Sequence, residues 1–142
     1  MRRISLFGLA LAALMMWSCE KDKPDRRDAY VGVYTCRMVN TGEDDQGSYS
    51  FVDEGVQLGV EKGVNANELL FDLGDDIVIV GILDPTQDDQ VLLPDDLIDI
   101  QGDVYRIGGD GFFGNKTISL TLAASAVNFF DVGILAISGS KD

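Results

Sequence analysis

Carboxylates are the most abundant chemically capable groups in this chain. Asp and Glu number 24, and many stand in adjacent pairs: Asp44-Asp45, Asp53-Glu54, Asp75-Asp76, Asp88-Asp89 and Asp95-Asp96. Several oxygen ligands close together suit calcium, and Asp84, Asp88 and Asp89 are the candidate metal set. No segment has the Asp-x-Asp-x-Asp-Gly spacing with a glutamate at the twelfth place. Turns favour Asp for their own reasons, so solvated turn acids are the preferred reading. A carboxylate pair about 5 Å or roughly 6.5–9.5 Å apart would suit glycoside hydrolysis. Among so many acids that spacing arises by chance and carries no signal.

Other chemistries are excluded more firmly. The chain has no histidine, so neither a Ser-His-Asp nor a Cys-His pair can form, nor can a His-Glu-x-x-His zinc helix. No glycine-rich phosphate loop of the Gly-x-x-x-x-Gly-Lys-Ser/Thr type is present. No catalytic residue is assigned, no cofactor is expected, and the chain reads as a non-enzyme. The aromatics Tyr34, Phe112, Phe113, Phe129 and Phe130 are the candidate ligand-binding residues. Adjacent strand residues face opposite ways, so one Phe of each pair is expected to fill a core.

These residues need elements to position them, and the patterns that stand out have a period of two. Ile118, Leu120 and Leu122 alternate with Thr117, Ser119 and Thr121, as a half-buried strand requires. Val56, Leu58 and Val60 share a face, as do Leu69, Phe71 and Leu73, and Tyr34, Cys36 and Met38. Two runs, Ile77–Leu83 and Val132–Ile137, are apolar on both faces. They are read as strands covered on both sides. The sharper alternative is an exposed strip that meets a partner, a second subunit or lipid. Turn signals fall at Gly42–Gly47, Asn65–Asn67, Gly74–Asp76, Asp84-Pro85, Gly108–Gly111 and Gly114-Asn115. Pro94 should end the strand at Val91–Leu93 or mark an edge, and Ala123–Val127 has some character of a helical turn. Many short strands with frequent turns predict an all-β, antiparallel meander barrel of about eight strands, with a β-sandwich as the alternative. With 142 residues there is room for one modest domain.

The N-terminus reads as an address. Arg2 and Arg3 precede a mainly apolar run from Ile4 to Trp17, the plan of a secretory signal. The run is short of the roughly 20 residues of a spanning helix. The junction Met16-Trp17-Ser18-Cys19 resembles the lipobox of bacterial lipoproteins, with Trp17 unusual at its position. That resemblance implies cleavage before Cys19, acylation of its thiol and a further acyl chain on its amine. Two or more chains hold a protein stably on a membrane. The division is therefore 1–18 signal, 19–29 lipidated polar tether and 30–142 all-β domain. Cys36 is then the one remaining cysteine and reads as a buried structural thiol.

Charge narrows the partners. The formal charge is −13. Without residues 1–18, nine bases face 24 acids, and the side-chain charge is −15. The tether is balanced, so all of that charge lies in residues 30–142. Such a domain is repelled by nucleic acid and by anionic head groups.

The whole resembles small lipoproteins of Bacteroidota that carry a lipocalin-like or related all-β domain. The residues that carry the likeness are Ser18–Asp22, Val31–Thr35, Leu93-Pro94, Gly109–Lys116 and Ile137–Lys141. The resemblance implies a domain lipid-anchored to the outer membrane of a bacterial envelope, facing the periplasm or the surface. Charged residues after the cysteine resemble the export signal of surface lipoproteins, with Lys21 and Lys23 interrupting the acids. The expected function is a non-catalytic binding module for a small apolar ligand or a glycan. The alternative is a structural or protein-interaction module of the envelope with a filled barrel. An open interior of about 300 Å³ or more favours the first.

Overall fold

The computed structural model describes residues 23–142. The signal-like segment, Cys19 and Glu20–Asp22 lie outside the described residues. Eight strands follow one another: β1 (Gly32–Asp44), β2 (Gly47–Lys62), β3 (Glu68–Asp72), β4 (Val78–Leu83), β5 (Gln90–Ile100), β6 (Asp103–Phe113), β7 (Thr117–Ala126) and β8 (Asp131–Ser140). They form a closed antiparallel barrel in sequence order, and β1 pairs with both β2 and β8. The barrel thus closes on itself within the described residues, and the sandwich alternative falls away.

Alternation explains which residues face inward. Tyr34 and Cys36 on β1, Leu58 and Val60 on β2, Leu69 and Phe71 on β3, and Ile118, Leu120 and Leu122 on β7 are all buried. No polar or charged residue is fully buried among the described residues. Turn chemistry also fits. Gln101 and Gly102, between β5 and β6, both have positive φ, 56° and 95°, as a two-residue hairpin turn matched to strand twist demands.

Four sequence expectations are corrected. Gly108–Gly111 is not a turn but lies inside β6. A Cβ at Gly109 would fall 3.0 Å from the Leu122 Cα and closer still to the Thr121 carbonyl of β7, so glycine here permits a close approach of two strands. Ala123–Ala126 continues β7 as strand, not helix. The strand at Val91–Leu93 does not end at Pro94: β5 runs on to Ile100 with a register shift between Leu93 and Asp96. Nor is β5 an edge, since the barrel is closed, but Pro94 stands where its ladder with β4 has ended, these strands pairing only at Ile82↔Leu92 and Leu83↔Val91. Finally, Ile77–Leu83 and Val132–Ile137 are not covered on both sides. Val78, Val80, Ile82, Val132 and Ile134 are exposed on the outer wall.

The two ends of the barrel differ. At one end the chain enters through a 3-10 helix, Arg26–Ala29, that lies across the opening. Asp25 caps it, accepting from the Arg27 backbone N–H at 3.0 Å. The Arg27 guanidinium binds the same carboxylate and donates to the carbonyls of Gly63 at 3.0 Å and Asn65 at 2.7 Å. These contacts with Arg27 hold the Asp25 carboxyl well below the usual carboxylate range. Arg26 donates to the Asp84 carbonyl at 2.8 Å, and Lys62 pairs with Asp25 and Asp28. The Lys141 ammonium donates to the carbonyls of Ala29 and Val31. Tyr30 stacks on Phe113 with ring centroids 4.3 Å apart. The last residues of the expected tether, from Asp25 to Ala29, are therefore a plug fastened to the barrel.

Candidate functional site

The opposite end is open. There the barrel encloses a cup of about 330 Å³. Its wall is made by Met38 of β1, Leu73 and Ile77 beside the β3–β4 turn, Ile79 of β4, Ile98 and Ile100 of β5, Ile107 of β6, Leu122 and Ala124 of β7, and Leu135 of β8. These are inward positions of the same strands whose other inward residues, among them the aromatics Tyr34, Phe71 and Phe113, are buried toward the plugged end. The cup exists because medium aliphatic side chains, Ala124 and Gly133 do not meet across the barrel at this level.

Polar groups on the lining stand close together. Tyr49 of β2 donates from its hydroxyl to Asp131 Oδ1 at 2.7 Å, and Tyr105 of β6 donates to Asp131 Oδ2 at 3.0 Å. Asn40 completes the polar part of the lining. The Tyr49 ring reaches Asp131 over a bare strip made by Gly42 of β1 and Gly133 of β8, which are paired. A Cβ at Gly133 would fall 2.8 Å from the Tyr49 hydroxyl, and one at Gly42 would collide with it. Burial, then the hydrogen bond to Asp131, push the Tyr49 phenol up to about 12. The same causes raise Tyr105. Both phenols are therefore protonated donors at neutral pH.

Two larger hollows lie on the outer wall and are mostly open to solvent. One, of about 590 Å³, runs over the outward side chains Thr41, Glu43, Arg106, Ser125 and Ile134. The other, of about 490 Å³, lies beside Ile82, Leu92 and Phe112. Enclosure rather than volume distinguishes a site that desolvates its ligand, which favours the cup.

The structure scatters the aromatic residues picked from the sequence. Tyr34 and Phe113 belong to the filled, plugged half, where the Tyr34 hydroxyl donates to the Tyr30 carbonyl at 2.9 Å. Phe112 points outward and is 57% exposed against 3% for Phe113. Phe129 and Phe130 sit in the β7–β8 turn at the open end. Phe129 meets Tyr105 edge-on, centroids 5.9 Å apart. None of the five aromatics lines the cup, and Phe129 comes nearest, through its contact with Tyr105. The acids are not gathered for a metal either. Asp84 is occupied by its own turn, accepting from Thr86 and Gln87, and the Asp88 carboxylate lies 3.5 Å from Arg26. Among the described residues no three His, Cys, Asp or Glu side chains are placed to hold an ion. Cys36 is buried and free, and burial pushes its thiol up, as for an inert core cysteine.

Sequence reasoning missed Tyr49, Tyr105 and Asp131. No local spacing joins them, since Tyr49 and Asp131 lie 82 positions apart. Comparison with known proteins found no matching family model, no matching curated protein and no matching solved structure. Among the described residues no helix is long and apolar enough to cross a membrane.

Proposed function

We propose that this protein is a lipid-anchored, non-catalytic binding module of a bacterial envelope membrane, whose open barrel end takes up a small apolar molecule. The observation that carries the reading is the apolar cup of about 330 Å³ at one end of a barrel plugged at the other. That volume lies at the low end of the roughly 300–1,000 Å³ typical of ligand pockets. The mainly aliphatic lining favours an apolar guest over a glycan.

Anchoring through Cys19 gives the cup a direction. Five residues lie between Cys19 and Asp25, and a chain that short reaches at most about 20 Å. The plugged end would sit close to the lipid surface, with the mouth turned away from it. An outer-membrane lipoprotein of this build would sample the aqueous side, periplasmic or external, rather than its own bilayer.

The test uses residues 19–142 with Cys19→Ser, which hold the whole barrel and its plug. The neutral fluorophore N-phenyl-1-naphthylamine should bind saturably, and Ala124→Trp, which fills the cup, should abolish the signal while far-ultraviolet circular dichroism stays unchanged. Binding that survives Ala124→Trp sinks the cup reading. Separately, Cys19→Ser in the full chain should release the protein from membranes. Unchanged retention removes the lipid anchor from the proposal.

A second reading rests on the outer wall. Val78, Val80 and Ile82 of β4, with Leu92 and Phe112 beside them, form an exposed apolar strip. Such strips mark protein contacts, and an envelope partner seated there would make this an interaction module. Ile82→Glu would abolish that association and leave the fluorophore signal intact.

A further inference from the structure

The polar lining of the cup narrows the chemistry of its guest, an inference that rests on the cup being a binding site. Among the described residues Asp131 is the one charged side chain in the lining, and no Lys or Arg shares the cup with it. Its two oxygens each accept one phenol proton, at 2.7 and 3.0 Å. A carboxylate has about four lone-pair sites, so capacity remains on both oxygens. The phenols have spent their single protons on Asp131, and their oxygens too offer only lone pairs. Apart from the Asn40 amide, which can also donate, what meets an incoming guest is therefore a rim of acceptors beside the Gly42–Gly133 strip, above an aliphatic floor. A guest with an anionic end would bring a second negative charge next to the first, with no cation in the lining to offset it.

We propose that the cup selects apolar molecules whose polar end donates hydrogen bonds and carries no negative charge, the class of alkyl alcohols and alkylammonium ions, with Asp131 receiving that end. Fatty-acid-like guests are disfavoured. The cup volume of about 330 Å³ corresponds to about eleven water molecules, which fits one short chain or a small ring system.

Residues 19–142 with Cys19→Ser, loaded with N-phenyl-1-naphthylamine at neutral pH, are titrated with decanol, decylammonium and decanoate. Decanol and decylammonium should displace the probe at concentrations at least tenfold lower than decanoate. Asp131→Asn should shrink the gap between decylammonium and decanoate by tenfold or more. Asp110→Asn, which removes an exposed carboxylate outside the cup, should preserve it. Decanoate displacing as well as the other two, or a gap untouched in folded Asp131→Asn, overturns the selectivity while leaving the cup in place. Should Asp131→Asn fail to fold, the unsubstituted ranking decides alone. If neither the probe nor any of the three chains binds by calorimetry, the cup reading itself falls, and this inference with it.

Discussion

The plugged and open ends of the barrel are built from the same strands with the same alternation, yet one is filled and the other hollow. At the plugged end, Tyr34, Phe71 and Phe113 lie in the core and Tyr30 stacks on Phe113 from the chain entrance. At the open end the corresponding inward positions carry Ile, Leu, Ala and Gly, and the aromatics Tyr49 and Tyr105 turn their hydroxyls toward Asp131. Period two decides only that a side chain points inward. Side-chain size and the chain that crosses the opening decide whether the space is closed. The contrast separates two duties, stability at the plugged end and access at the open one.

The largest effect should come from emptying the filled half. Phe71→Ala is expected to cost about 3–5 kcal/mol in urea unfolding, the usual cost for a buried Phe. Ile98→Ala, on the wall of the cup, should cost about 1–2 kcal/mol, because part of its surface is already unburied. Equal losses would erase the distinction between the halves. Next, Arg27→Ala removes the group that ties the plug to the carbonyls of Gly63 and Asn65. A loss of stability smaller than that of Phe71→Ala is expected in urea unfolding. Amide exchange should speed up around Asp25–Val31 and stay unchanged at the mouth.

Two pH effects are smaller and opposite in sense. Tyr34 at the plugged end and Tyr49 at the open end are both pushed up to about 12, chiefly by burial. Below about 10, where a free tyrosine titrates, both are protonated folded or unfolded and their contribution is intact. Between about 10 and 12 the unfolded chain loses these protons while the folded one keeps them, so stability falls as pH rises. Tyr49→Phe should flatten that decline, followed by unfolding midpoints across the window. On the acid side, Asp25 is held low by Arg27. Its contribution is present above about 4 and drains away as pH drops below that value. Amide exchange near Ala29 should rise there before exchange at the mouth does.

The strand faces could be read in the sequence because alternation is a local signal. Tyr34, Cys36 and Met38 share the inner face as expected, and so do Ile118, Leu120 and Leu122. Gly108–Gly111 misled because glycine serves turns and tight strand contacts alike, and only the neighbouring β7 backbone tells which. The outward exposure of Val78, Val80 and Ile82 was hidden for a similar reason, since an apolar run does not say what lies on its far side. The arrangement of the cup was not legible at all. Its polar cluster depends on β1 closing against β8 and on the glycine strip that lets Tyr49 lie flat, both products of the closed barrel. The plug was misjudged because Asp25–Ala29 has a spacer's composition, and its attachment depends on carbonyls far along the chain.

The sparse pairing of β4 with β5 sets where the wall around the cup is weakest. These strands are joined at only two residue pairs, Ile82↔Leu92 and Leu83↔Val91. Beside Pro94 lies a slit of about 200 Å³, and Ile79, Ile98 and Ile107 line both it and the cup. A cask leaks first at its loosest stave. The seam at Pro94 is therefore where this wall should open first, seen as faster amide exchange in β4 and β5 than in β7.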